Sequence, residues 1–196
     1  MSKTVKDWLI AIVIGVIIAF LLNYFVMKKY TVQGDSMDPT FKNGEQLIIN
    51  KLSVTFNRVD RGDVIVFHAD RDHDYIKRLI GKPGDTVSYK NDQLYINGKK
   101  IQEPYLEENK KHKYTDTLTE DFTVEVIKGA KQGQKEIPKG KYLVLGDNRA
   151  ISKDSRGQHG IGFVSKDQVV GTALIRFYPL DRFDIGFGSK DFEKVN

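Results

Sequence analysis

Cysteine is absent from the 196 residues. That excludes a thiol nucleophile, a disulfide framework and a cysteine-ligated metal site. No Gly-x-Ser-x-Gly stretch occurs, and the four histidines fall in polar turns or loops, so nothing points to a Ser-His-Asp arrangement. His68 and His73 flank the charged turn Asp70–Asp74, within reach of each other across a hairpin, but no third ligand accompanies them. A basic run interleaved with aromatics is also missing. The formal charge of +5 and the pI near 9.2 permit a polyanionic partner. The lysines are nevertheless scattered among nearly as many acids, which argues against a nucleic-acid face and better suits a positive surface beside anionic lipid or polymer. No internal repeat or low-complexity tract is evident.

Charge is absent from Trp8 to Met27. As a helix, about 20 residues rise roughly 30 Å, enough to cross a bilayer. Trp8 and Tyr24 sit near its ends, where amphipathic aromatics prefer the interface, and Lys28-Lys29 closes it. A cleaved leader would have a shorter apolar core followed by small residues. Asn23-Tyr24-Phe25-Val26-Met27-Lys28-Lys29-Tyr30 offers no such site, so the segment reads as an uncleaved anchor. Lys3 and Lys6 on one side nearly balance Lys28, Lys29 and Lys42 on the other, and charge alone leaves the orientation open.

Beyond the anchor the pattern is of strands. Tyr30–Gln33 is a short β-prone run, Glu45–Lys51 reads as a strand, and Val64–Phe67 is a continuous apolar run typical of a buried one. Tyr75–Ile80 returns as its partner, Pro83-Gly84-Asp85 breaks the chain, and Thr86–Tyr89, Leu94–Ile96 and Asn97-Gly98 form a hairpin meander. Residues 103–137 are polar and poor in periodicity, Tyr142–Leu145 and Gln168–Tyr178 are further strands, and the end is a tail. The expected fold is mainly β. It comprises a polar segment at 1–7, a transmembrane helix at 8–27, a β-rich core at 28–102 and 138–180, an inserted polar subdomain at 103–137 and a tail at 181–196.

Three segments carry candidate chemistry. Gly34-Asp35-Ser36-Met37-Asp38-Pro39-Thr40-Phe41 sets a serine on tight, turn-forming backbone; alone, it reads as a polar turn after an anchor. In Tyr75-Ile76-Lys77-Arg78-Leu79-Ile80, strand alternation sends Lys77 and Arg78 to opposite faces, one into a pocket and the other to solvent. Lysine acts as a base once burial lowers its pKa from about 10.4; alone, the pair reads as two solvated charges on an edge strand. The third segment is Gly146-Asp147-Asn148-Arg149-Ala150-Ile151-Ser152-Lys153-Asp154-Ser155-Arg156. Arg61-Gly62-Asp63 spells an integrin-type tripeptide, but it runs straight into Val64–Phe67 and reads as a strand-entry turn.

In this order, the three segments closely resemble the type I signal peptidases, membrane-anchored Ser/Lys proteases that remove signal peptides from exported proteins. The resemblance runs from the anchor to about Arg176 and, from the short length, is to the Gram-positive branch. It implies Ser36 as nucleophile and oxyanion donor through its N–H, Lys77 as general base, and Ser152 as the hydroxyl that orients the lysine. It implies that Val32, Met37 and Ile76 line shallow pockets for small side chains at −1 and −3, and that Asp147, Asp154 and Arg156 brace the site. No cofactor and no metal are implied. The implied partners are secreted preproteins, the lipid bilayer and the secretion translocon, with the amino terminus cytoplasmic and the catalytic domain outside. Three departures stand out: Gly34 where some relatives have a second, serine oxyanion donor, Ala150 where an acid is common, and an apparent small insertion at 157–162 on the rim. Two rivals are a self-cleaving-repressor type of Ser/Lys protease and an anchored, non-catalytic β-domain that binds exported chains or wall polymer. The anchor just before the serine argues against the first, and the presence of both Ser36 and Lys77 against the second.

Overall fold

The computed structural model describes residues 3–113, 115–188, 192 and 195. In chain order, helix α1 (Lys3–Phe25) is followed by β1 (Met27–Thr31), β2 (Gln46–Asn50), α2 (Leu52–Thr55), β3 (Val64–His68), β4 (Asp74–Gly81), β5 (Val87–Lys90), β6 (Gln93–Ile96) and β7 (Lys99–Ile101). Then come α3 (Glu107–Lys111), β8 (Phe122–Thr123), β9 (Lys141–Leu145), β10 (Val164–Ser165), β11 (Val169–Tyr178) and β12 (Asp184–Ile185). The larger, eight-stranded sheet runs β1-β2-β11-β3-β4-β9-β10, with β12 beside β11. Its pairings are antiparallel throughout.

The continuous apolar run of β3 has a simple cause. Val64 and Val66 pack with Phe41, Leu47 and Ile49 on one face, while Ile65 and Phe67 pack with Leu79 and Val144 on the other. A strand covered on both sides has no polar face to show. Each such side chain fully removed from water contributes about 1.5–3 kcal/mol.

β4 is less evenly treated. It pairs β3 from Asp74 to Arg78 but β9 only from Arg78 to Gly81, so no strand pairs the other edge of Asp74–Lys77 among the described residues. β1 ends the sheet and leaves its outer edge free in the same way.

The strand pattern left the sheet assignment open. The meander from Thr86 to Gly98 lies outside the larger sheet. β5, β6 and β7 form a second, four-stranded sheet with β8, in the order β7-β6-β5-β8. Asn97 and Gly98 both have positive φ, 52° and 76°, which gives the hairpin turn β6–β7 the twist its strands require. The stretch 103–137 is polar in composition, yet Phe122, Val124, Ile127 and Ile137 are buried in the core beneath this sheet, and Leu106 is buried as well. Scattered apolar residues on loops and short helical turns leave no period to read. The tail is not inert either, since Phe187 packs with Phe41, their ring centroids 4.5 Å apart.

The first strand begins at Met27, not at Tyr30, so Lys28 and Lys29 belong to β1 instead of closing the anchor. α1 occupies the run in which a spanning helix is expected. Among the described residues no helix is long and apolar enough to cross a membrane.

Candidate active site

The turn that carries Ser36 is fixed from several directions. Gly34 has φ +78°, a conformation that costs glycine little, and its N–H donates to Asn43 Oδ1 at 3.0 Å. The Asp38 N–H donates to the Asp35 carbonyl and the Phe41 N–H to the Met37 carbonyl. Met37 and Phe41 are buried beneath, anchoring the turn by its apolar side.

The turn then docks onto the loop after β9. The Asn148 N–H donates to the Ser36 carbonyl at 3.1 Å, Asn148 Nδ2 to the Asp35 carbonyl at 3.1 Å, and Thr40 Oγ1 to Asp147 Oδ2 at 2.6 Å. Asn109, on α3, donates its side-chain amide to the carbonyls of both Asp38 (2.9 Å) and Asp147 (2.8 Å). Gly146 is required at the point of contact. A Cβ there would stand 2.1 Å from Ser152 Oγ and 2.5 Å from the Ser36 carbonyl oxygen.

This docking brings Ser36 to β4. Lys77 Nζ donates to Ser36 Oγ at 2.7 Å and to its neighbour Ile76's carbonyl at 3.0 Å. Lys77 is 3% exposed, and no carboxylate lies within ion-pair distance of its amine among the described residues. Burial lowers its pKa to about 8, against the weaker upward pull of Asp154 and Asp147. A usable fraction of the amine is therefore neutral near pH 7–8.

Arg78, expected in solvent, is 2% exposed. Its guanidinium holds Asp147 through Nε at 2.9 Å and Nη2 at 2.7 Å, and Nη1 donates to the carbonyls of Gly62 and Phe187. It also stacks 3.9 Å from the Tyr105 ring centroid. Alternation did turn Lys77 and Arg78 to different surroundings, but both surroundings are interior.

The third segment divides its tasks. Asp154 binds Arg156 at 2.9 Å and accepts the Gly146 N–H at 3.0 Å, while Asp147 takes Arg78 and Thr40. Arg149 is buried against Glu103 at 2.6 Å, Tyr89 and Thr119, and it returns Nε to the Gly146 carbonyl at 2.9 Å. Ser152 Oγ is buried against Gly146 with no hydrogen-bond partner among the described residues, so the expected contact with Lys77 is not made in this conformation. The segment 157–162 folds back onto the core: Ser155 Oγ donates to the Gly162 carbonyl at 2.7 Å and the Ile161 N–H to the Asp154 carbonyl.

A cleft of about 820 Å³ opens over Ser36 and Lys77. Val32 and Ile76 line it, whereas Met37 packs in the cluster behind them and does not reach its wall. At the cleft's far end Asp74 gathers Tyr30, His68 and Lys28. Burial opposes the charge of Asp74, but hydrogen bonds from Tyr30 and His68 carry its carboxyl below the usual range.

His68 and His73 do not meet; His73 pairs with Asp70 instead. Among the described residues no three His, Cys, Asp or Glu side chains gather to hold a metal. Arg61-Gly62-Asp63 is used internally, with Arg61 forked onto Asp85 at 2.7 Å and Asp63 accepting the Asp60 N–H.

Arg78, Arg149, Glu103, Asn109, Tyr30 and Asp74 are the residues that sequence reasoning missed. Arg149 stood inside the third segment, and Asp74 and Arg78 flanked Lys77. Nothing in the polar stretch around Asn109 signalled it.

The fold is mainly antiparallel β, and it sets a serine hydroxyl against a buried lysine amine that no carboxylate pairs among the described residues. The chain belongs to the family described as signal peptidase, peptidase S26, whose family pattern matches residues 5–178. It is 46% identical over 191 residues to signal peptidase IB of Staphylococcus aureus (strain MRSA252), covering 97% of this chain and 98% of the relative. Signal peptidase I S of Bacillus subtilis (strain 168) is 46% identical over 183 residues, 92% of each chain. The crystal structure of a signal peptidase I from Enterococcus faecalis V583 is similar at 40% identity and a TM-score of 0.52, over 58% of this chain and 95% of that one.

Proposed function

We propose that this chain is a membrane-bound endopeptidase that removes N-terminal signal peptides from exported preproteins, with Ser36 as nucleophile and Lys77 as general base. One observation carries the reading: the 2.7 Å contact between Lys77 Nζ and Ser36 Oγ, made by a lysine whose pKa burial lowers to about 8. The neutral amine takes the serine proton as Oγ attacks the scissile carbonyl. The Ser36 N–H donates to the oxyanion that forms. The ammonium then protonates the departing amine, and water cleaves the acyl-enzyme with Lys77 again as base. Gly34 supplies no second oxyanion donor, for it lacks a hydroxyl and its N–H is engaged by Asn43.

Ser152 orients the amine. A buried hydroxyl without a partner costs about 1–3 kcal/mol, and a small rotation toward Lys77 relieves it. Val32 and Ile76 shape the shallow recesses that accept small side chains at −1 and −3, with Met37 as packing behind the wall. Asp147, Asp154 and Arg156 hold the loop that presents Ser152.

α1 is the anchor, its amino terminus in the cytoplasm and the sheets outside, next to the translocon that delivers the substrate. Only the eight residues from Val26 to Gln33, about 27 Å when fully extended, separate α1 from the serine turn, so the cleft stays near the bilayer face. Cleavage of one purified preprotein by wild type and by Ser36→Ala tests the reading. Wild type is expected to release the mature chain and Ser36→Ala to release none; equal cleavage by both would refute it.

A further inference from the structure

Two strand edges that no other strand pairs among the described residues lie on the cleft, β1 on one side and Asp74–Lys77 of β4 on the other. Both run toward the Ser36–Lys77 pair. The slot between them offers backbone donors and acceptors to an extended chain on either side.

One group of side chains crosses this slot. Tyr30 Oη donates to Asp74 Oδ2 at 2.5 Å, although three strands separate β1 from β4 in the sheet order. His68 Nδ1, on β3, lies 2.5 Å from the other oxygen of the same carboxylate. Lys28 Nζ stands 3.9 Å from Asp74 and 4.6 Å from the Tyr30 ring centroid. The Asp74 side chain is 24% exposed, so the contact is shielded from water in part. Asp74 precedes Lys77 by three residues, which in a strand is about 10 Å. A chain seated with the residue to be cleaved beside Lys77 therefore brings about its fourth residue upstream level with Asp74.

We propose that the Tyr30–Asp74 contact, backed by His68, is a strap that closes the slot beyond about the third substrate residue upstream of the scissile bond. The proposal rests on the peptidase reading above. The strap makes Tyr30 and Asp74 specificity-determining. It confines backbone pairing to positions −1 to −3 and turns the preceding residues out of the slot, so their sequence contributes little to selection.

The test uses two N-acetylated peptides that share residues −3 to +5 around one Ala-x-Ala site. One begins at −3 and the other at −8. The readout is the ratio of kcat/KM for the long peptide to that for the short one, taken within each preparation of full-length enzyme, so that the folded fraction cancels. For wild type the ratio is expected near unity. For Tyr30→Phe, which keeps the ring and deletes the bond, and for Asp74→Ala, the ratio is expected to rise about tenfold as upstream residues pair along the opened slot. A ratio unchanged from wild type in either variant would overturn the strap. Failure of wild type to cut either peptide would instead overturn the peptidase reading, and the strap with it.

Discussion

Lys77 and Arg78 are adjacent on one strand and nearly equally buried, and they meet opposite fates. Arg78 has a forked carboxylate, two carbonyls and an aromatic ring to satisfy it. Lys77 has a serine hydroxyl, one carbonyl and the more distant Tyr75 ring, 5.3 Å from its amine, but no carboxylate partner among the described residues. Burial disfavours any charge, but only the cation with a matched partner keeps it firmly. The same interior thus produces a permanent brace at one residue and an amine of lowered pKa at the next. Arginine suits the first task because its fork matches a carboxylate and stays protonated; lysine suits the second because its pKa moves.

The sharpest way to break this contrast is to exchange the chemistry at position 77. Lys77→Arg places a group there that cannot accept a proton. Cleavage of a preprotein should fall by about 10³-fold or more, while circular dichroism reports a folded chain; near wild-type turnover would dismiss Lys77 as the base.

Next in size is the brace. Arg78→Met leaves Asp147 charged, buried and unmatched, and should lower stability by about 3–5 kcal/mol in urea unfolding. A loss under about 1 kcal/mol would mean that Asp147 is held by its other partners.

The mirror experiment should have the opposite sign. The depression of the Lys77 pKa from 10.5 to about 8 corresponds to roughly 3 kcal/mol at about 1.36 kcal/mol per unit. Between those values the unfolded chain binds more protons than the native one, so stability rises with pH across that window. The cost of the buried ammonium is fully present below about pH 8. Lys77→Met should therefore stabilise the inactive protein by about 1–3 kcal/mol at pH 7, with the gain vanishing above pH 10.5. Unfolding curves at the two pH values decide it. The same depression places the acidic limb of kcat/KM near pH 8, with about a tenfold loss per unit below it.

The smallest effect belongs to Ser152. If Ser152 orients the amine as proposed, Ser152→Ala removes no reacting atom, and a fall of about tenfold in kcat with little change in KM is expected from steady-state kinetics. A fall as deep as that of Lys77→Arg would promote Ser152 to a direct part in the proton transfer.

What the amino-acid order made legible follows from locality. Ser36 and Lys77 sit in compact segments whose neighbours already suggest a turn and a strand, and the apolar run of β3 announces a strand covered on both faces. The fate of Arg78 was not legible, because its partner Asp147 lies 69 residues away and alternation tells direction but not what waits there. The second sheet was missed for a related reason. The β5–β7 meander looks the same whether its fourth neighbour is β8 or an edge of the larger sheet, and only two residues of β8 decide the matter. Met37 shows the limit of position as a guide: it neighbours the serine in the chain, yet the turn directs it behind the cleft wall.

Asn109 holds a lesson for chimeras. Its one amide is shared between the carbonyls of Asp38 and Asp147, so the polar stretch that looks most expendable is knotted to two loops from distant parts of the chain. Swapping residues 103–137 for a relative's segment would therefore transplant a fastener as well as a decoration. A graft that preserves length and polarity but not this amide would leave both loops to find their spacing unaided.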